Sequence, residues 1–240
     1  MAKYGSSDVS FFCVDGFNLL GVTTDLSEST EAITEETHAL GDSWPEHTPT
    51  GLRRAELSAS GFYDDASDSS NAALSGSETT SRVVCYGFEG NLFQAGFLGH
   101  EGAFGGTYSR SVTRGELHKA SATWTVTGQK DEGIILHVLD TENSTSATGS
   151  VDNAASSSGG GVGYIHVTAK SGTSPTLDVE IRHSADNNTF ADAIDFAQKT
   201  GESAERKTCS GTVNRYVRCD WAIGGSSTPT FTFFVGFARG

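Results

Sequence analysis

The chain has 240 residues, 16 Lys+Arg against 30 Asp+Glu, a formal net charge of −14, and 36% hydrophobic and 10% aromatic residues. This excludes a basic nucleic-acid binder, which needs the opposite charge, and a disordered chain, which does not keep so many apolar residues. With 29 Gly, 30 Ser and 27 Thr, all poor helix formers, and no apolar run near the ~20 residues of a membrane span, an acidic, soluble, mainly β protein of one large or two small domains is expected.

The first ten residues (MAKYGSSDVS) lack an apolar core and a small-residue cleavage site, so no signal peptide is expected. Residues 9–22 (VSFFCVDGFNLLGV) place Asp15-Gly16 between two apolar runs, the signature of a two-residue hairpin turn. Residues 25–52 lack clean alternation, contain Pro45 and Pro49, and read as a long loop. Its first part, 25–46, holds seven acids and no base, and Trp44 lies within it. Residues 55–63 alternate, with Leu57 and Ala59 on one face. The Ser/Asp-rich run 64–76 has room for one short helix, and strands follow at 82–88, 92–98, 117–127 and 134–139.

Residues 144–163 (STSATGSVDNAASSSGGGVG) read as a flexible linker and candidate domain boundary. Strands resume at 164–169 and 177–183. A turn follows at 184–189. A short helix is expected over 190–198, where Phe190, Ala193, Ile194 and Ala197 recur at helical spacing. Alternating strands at 212–222 and 230–238 end the chain. The fold class is therefore mainly β: sandwich or barrel modules with antiparallel sheets and one or two short helices. Charge is uneven: residues 1–140 carry 20 acids and 8 bases, residues 141–240 carry 10 acids and 8 bases.

Catalytic constellations are missing. The seven histidines show no H-E-x-x-H spacing, so no metal site is expected. Cys13, Cys85, Cys209 and Cys219 form no C-x-x-C pair and read as reduced, mostly buried thiols. Gly159–Gly161 lack the G-K-[ST] of a phosphate loop, and Asp186-Asn187-Asn188 lacks the Gly and Glu of a calcium loop. No G-x-S-x-G elbow occurs. The expectation is no enzyme, no cofactor and no metal, but a protein that binds or assembles. Self-contact that does not close at two subunits generates rings or filaments.

Two ordered blocks are more specific. LGDSWPEHTPTGLRRAELSASGFYDD (40–65) resembles the N-terminal half of the major tail tube proteins of long-tailed, siphovirus-like bacteriophages. LDVEIRHSADNNTFADAIDF (177–196), a turn at TGESAER (200–206), GTVNRYVRCDW (211–221) and FTFFVGFAR (231–239) resemble the C-terminal part of the same family. The resemblance implies a virion protein that stacks as rings into a hollow tube on a tape-measure protein and meets tail-end proteins. DNA passes through that tube in transit, with no membrane partner, and assembly takes place in the host cytoplasm.

Within that family one tube-type fold per chain gives a hexamer and two in tandem give a trimer of pseudo-hexameric shape; the linker at 144–163 and the restart of the strand pattern after it favour two folds, at 1–143 and 164–240, and hence the trimer. Residues 25–52 would then be an inter-ring arm with Leu40, Trp44 and Leu52 as anchors. Asp25, Glu28, Glu31, Glu35 and Glu36 are candidate acids of the lumen or its rim, where negative charge lets DNA slide. Competing readings are a carbohydrate-binding module using Trp124, Trp221, Tyr164 and Tyr216, another virion part such as a head-decoration or tail-terminator protein, and a hydrolase with an unrecognised site.

Overall fold

The computed structural model describes residues 5–37, 44, 46–66, 69–76, 79–126, 128 and 130–240. Among them the chain is mainly β. The elements are β1 (Phe11–Val14), β2 (Phe17–Asn18), β3 (Thr23–Thr37), β4 (Glu46–Phe62), α1 (Ser70–Leu74), β5 (Arg82–Gly87), β6 (Gly96–Ser111), β7 (Lys119–Val126) and β8 (Lys130–Glu142). They continue with β9 (Ser146–Ala147), β10 (Val151–Asp152), β11 (Gly161–Ser184), β12 (Ala191–Asp195), β13 (Ser203–Cys209) and β14 (Tyr216–Arg239). The strands all belong to one hydrogen-bonded sheet whose spine runs β12-β11-β14-β8-β6-β5-β1-β2. Off the spine, β4 pairs with β3 and β7, and β7 with β6.

The first hairpin forms as its turn chemistry dictates. Asp15 and Gly16 both take positive φ, 47° and 92°, and Val14 pairs with Phe17. The Asp15 carboxylate accepts from Val83 N at 2.8 Å and Arg82 Nη1 at 2.9 Å. Gly16 N donates to Nδ1 of the fully buried His166 at 3.3 Å, which ties this turn to β11. A Cβ on Gly16 would lie 2.6 Å from Ser203 N, so only glycine fits that approach. Burial lowers the His166 pKa to about 3 and keeps the ring neutral as an acceptor.

The strands of the spine pack a central core of Phe11, Cys13, Cys85, Phe97, Ile135, Tyr164 and Phe234. The aromatic rings interlock, with Phe11–Phe234 centroids 4.4 Å apart and Phe97–Tyr164 centroids 5.7 Å apart. Two further cores flank it. On one side Phe12, Val14, Leu57, Ala59, Val84 and Trp124 pack with Ala73 and Leu74 of α1. On the other, Ile165, Val167, Val179, Ile181, Trp221 and Phe233 pack with their neighbours. Each fully buried Phe in such a core contributes roughly 1.5–3 kcal/mol.

The third core exists because the β11–β14 hairpin folds over on itself. Its register shifts between Val167 and Ala169 and again between Ser171 and Thr176. Trp221 and Phe233 lie on one strand, yet their rings are 5.9 Å apart. Such closeness requires the strand to double back at its exposed Ser/Thr/Gly middle. Residues separated by twelve positions in straight β structure would be roughly 40 Å apart. Thus 164–169 and 177–183 are two halves of one strand, as are 212–222 and 230–238 from Tyr216 onward.

Four local expectations change. Residues 25–37 and 46–52 are strands, not loop: β3 and β4 pair from Thr23–Gly61 out to Thr37–Glu46. Both faces there meet water, so no apolar alternation marks them. Residues 191–195 are strand, not helix, because Ile194 and Phe196 alternate inward beside the edge of β11. Within 200–206, Ser203 onward is the edge strand β13, paired with Gly161–Val167. The 144–163 segment adds β9 and β10 to the edge of β14 and supplies the first residues of β11.

Candidate assembly surface

β3 and β4 leave the body as a two-stranded arm. Every described residue from Ser29 to Thr37 and from Glu46 to Arg54 is exposed, whereas Ala55, Leu57 and Ala59 are buried against β7. The register slips between Ala32 and Thr34, where Gly51 takes φ +80° and Thr50 Oγ1 donates to Ile33 O at 2.8 Å. This is a bulge, and bulges re-aim side chains. Leu52 is 64% exposed at this point. It lines a cleft of about 630 Å³ between the arm and the body, with Thr30, Arg53, Lys130 and Glu132.

The arm is braced at its root. Tyr86 Oη donates to Glu28 Oε2, and Lys130 Nζ lies 3.4 Å from Glu28 Oε1 and 2.8 Å from Glu132 Oε1. Fully buried His100 places Nε2 3.8 Å from Glu28, an ion-pair distance that is too long for a hydrogen bond. Burial pushes the Glu28 carboxyl up, but contacts with His100 and Tyr86 and the Lys130 charge outweigh it and bring its pKa down to about 2. Burial and the Glu28 carboxylate push the Tyr86 phenol upward.

The sequence-derived residues fall as follows. Trp44 is 84% exposed, so it does not pack on its own domain. Leu40 lies outside the described residues. Asp25, Glu31, Glu35 and Glu36 are exposed along the arm, whereas Glu28 is turned inward at its root. Trp124, Tyr164 and Trp221 are core residues and Tyr216 is half-buried, which removes the aromatic platform a sugar-binding reading needs. Among the described residues, no group of three or more His, Cys, Asp or Glu could hold a metal ion. No described helix is long and apolar enough to cross a membrane.

Sequence reading passed over the β6–β7 turn at the opposite end of β4. Leu117 is 69% exposed there beside Phe62, and Val112 is 65% exposed beside Tyr63. Arg110 and Arg114 flank them, with Arg110 Cζ 5.6 Å from the Tyr63 ring. The signal was available: SVTRGELHK carries two isolated apolar residues inside a basic turn of an acidic chain.

The chain matches no protein-family model and no curated protein. Among solved structures it is similar to a chain in the tail of an empty gene transfer agent particle, at 14% identity, covering 53% of this chain and 97% of that one, with a TM-score of 0.38. It is similar to a chain in the virion of a native gene transfer agent particle, at 11% identity, 54% and 98% coverage and a TM-score of 0.39. It is also similar to SPP1 Dit, described as a paradigm of the hub adsorption apparatus in phages infecting Gram-positive bacteria, at 13% identity, 95% and 98% coverage and a TM-score of 0.32.

Proposed function

We propose that this protein is a virion tail protein that self-assembles into rings stacked as a hollow tube, through which DNA leaves the particle. The observation that carries the reading is the arm. A two-stranded ribbon exposed on both faces is at best marginally stable in water, so its ordered length calls for a partner surface. The first tail-tube-like sequence block, 40–65, contains the second strand of this arm, and a mainly β body supports the same reading. Leu40, Trp44 and Leu52 are the proposed contacts to the adjoining ring. Exposed large aromatics are common interface anchors.

A division into two tube-type halves, 1–143 and 164–240, belongs to this proposal and would give a trimer of pseudo-hexameric shape, with a hexamer as the one-fold alternative. Exposed acids among Asp25, Glu31, Glu35 and Glu36 give the lumen or its rim a negative wall from which phosphates are repelled. The chain acts without catalysis or cofactor. Its partners are its own copies, a tape-measure protein and tail-end proteins. Electron microscopy of concentrated purified protein tests the reading: uniform rings or hollow tubes are expected, and a persistent monomer at all concentrations overturns it.

A further inference from the structure

Glu28 is the one acid of β3 that turns inward, and it does so where the arm leaves the body. Beside it on β6 lies His100, which pairs with Val84 of β5 and Lys130 of β8 and is fully buried. Neither of its ring nitrogens has a hydrogen-bond partner among the described residues, and Nε2 stands 3.8 Å from Glu28 Oε2. The other two buried histidines differ: His166 accepts from Gly16 N, and His137 faces Phe233 O and Glu142. A neutral imidazole carries one N–H and one lone pair, and burying both without partners is costly.

The charges around the ring are unbalanced. Glu28 on β3 and Glu132 on β8 share a single Lys130, 3.4 Å from the first and 2.8 Å from the second. Tyr86 of β5 donates to Glu28 Oε2 and brings no charge. Asp131, the next residue of β8, is committed to Arg206 and Tyr164. On β4, Leu57 stands opposite Glu28, and Arg53 lines the outer cleft with Lys130 and Glu132. The inward face of β7 is Ala122, Trp124 and Val126. A neutral His100 therefore leaves one negative charge in excess at the root, and an imidazolium balances it.

We propose that His100 is a proton-operated latch on the arm: as pH falls the ring takes a proton, closes its Nε2–H onto the Glu28 carboxylate and fixes the root, and as pH rises that contact reopens. A movement of about 1 Å converts the present separation into a charge-assisted hydrogen bond. The Glu28 carboxyl, held down at about 2, is ionised at every pH where a histidine changes charge. The stabilisation is present while the ring is charged and is lost as pH rises. Its consequence for assembly rests on the tube reading: a fixed arm favours stacking, so stacking strengthens on mild acidification.

Amide hydrogen exchange of the dilute full chain, corrected for the intrinsic pH dependence of exchange, tests the latch at residues 26–31 and 54–57. Wild-type protection there should rise by about fivefold or more from pH 8 to pH 5.5, through linkage to the proton taken up. His100→Gln and Glu28→Gln, verified as folded by near-ultraviolet circular dichroism, should show equal protection at both pH values. The His100 ring resonance of the wild type should shift over the same range, a readout that needs no variant. A resonance that stays fixed, wild-type protection that does not change, or an equal gain in folded His100→Gln would each overturn the latch, even where tubes form. A root that responds as expected in a protein forming neither rings nor tubes at any pH would overturn the tube reading and leave the latch standing.

Discussion

Lys130 Nζ lies 3.4 Å from Glu28 Oε1, an ion pair that fastens β8 of the body to β3 of the arm. Tyr86 donates to the other Glu28 oxygen, and the carboxyl has dropped from its ordinary 4.5 to about 2 although burial opposes the shift. The unfolded chain therefore binds this proton first as pH falls. The stabilisation is complete above about pH 4.5 and disappears as pH falls through about 2, and is worth on the order of 3 kcal/mol. Glu28→Gln should lower urea stability at pH 7 by up to that amount, and the gap to wild type should narrow steadily from pH 4.5 downward. A gap that stays constant to pH 2 would show that the carboxylate charge is irrelevant.

Between the cores, Asp131 is almost fully enclosed. Tyr164 donates to its Oδ2, and Arg206 Nε lies 3.0 Å from that oxygen and 3.0 Å from Tyr164 Oη. Removing the carboxylate would leave a largely buried guanidinium without that counter-charge, which costs about 3–5 kcal/mol. Asp131→Ala should lose that much stability in equilibrium unfolding. Tyr164→Phe keeps the ion pair and should lose about 1–2 kcal/mol. The ring itself sits against Gly99, where a Cβ would lie 2.6 Å from Tyr164 Cζ. Gly99→Ala should therefore be more damaging than Tyr164→Phe.

The sequence disclosed what local chemistry controls and hid what long-range packing controls. Asp15-Gly16 forced its hairpin, and Leu57, Ala59 and Trp124 alternated because only one face of each of their strands is buried. The arm was illegible for the opposite reason: with both faces in water, β3 carries no alternation to read. Residues 190–198 misled because Phe190, Ile194 and Ala197 fit a helical stripe, whereas the edge of β11 rewards the period-two pair Ile194 and Phe196. Trp44 was identifiable as an unusual aromatic in an acidic segment. Glu28 was not distinguishable from its acidic neighbours, because its partners Tyr86, His100 and Lys130 lie far along the chain.

Thiol chemistry checks the packing of the cores independently. Cys13, Cys85 and Cys219 are buried, and burial pushes each thiol upward. Cys85 is raised further by Cys13, its direct cross-strand neighbour. Cys209 is only half-buried on the edge strand β13, with a raised pKa that again comes chiefly from burial. The thiolate is the reactive form. A disulfide reagent at pH 8 should therefore modify one thiol of the native protein, abolished by Cys209→Ser, and the other three only at the rate of unfolding. Rapid reaction of a second thiol would place Cys13, Cys85 or Cys219 at the surface.

Trp44 offers a direct view of assembly, because it is the exposed member of three tryptophans while Trp124 and Trp221 lie in separate cores. An exposed indole contributes little to the stability of its own chain, so Trp44→Ala should change unfolding free energy by no more than about 0.5 kcal/mol. In dilute protein, acrylamide should quench one strongly accessible emission component, and Trp44→Phe should delete it. If Trp44 enters a groove on a neighbouring copy, that component should shift to the blue and become protected as concentration rises, in step with the appearance of stacks. Protection of Trp44 in dilute monomer would instead mean that the side chain packs on its own body, and the arm would lose its proposed anchor.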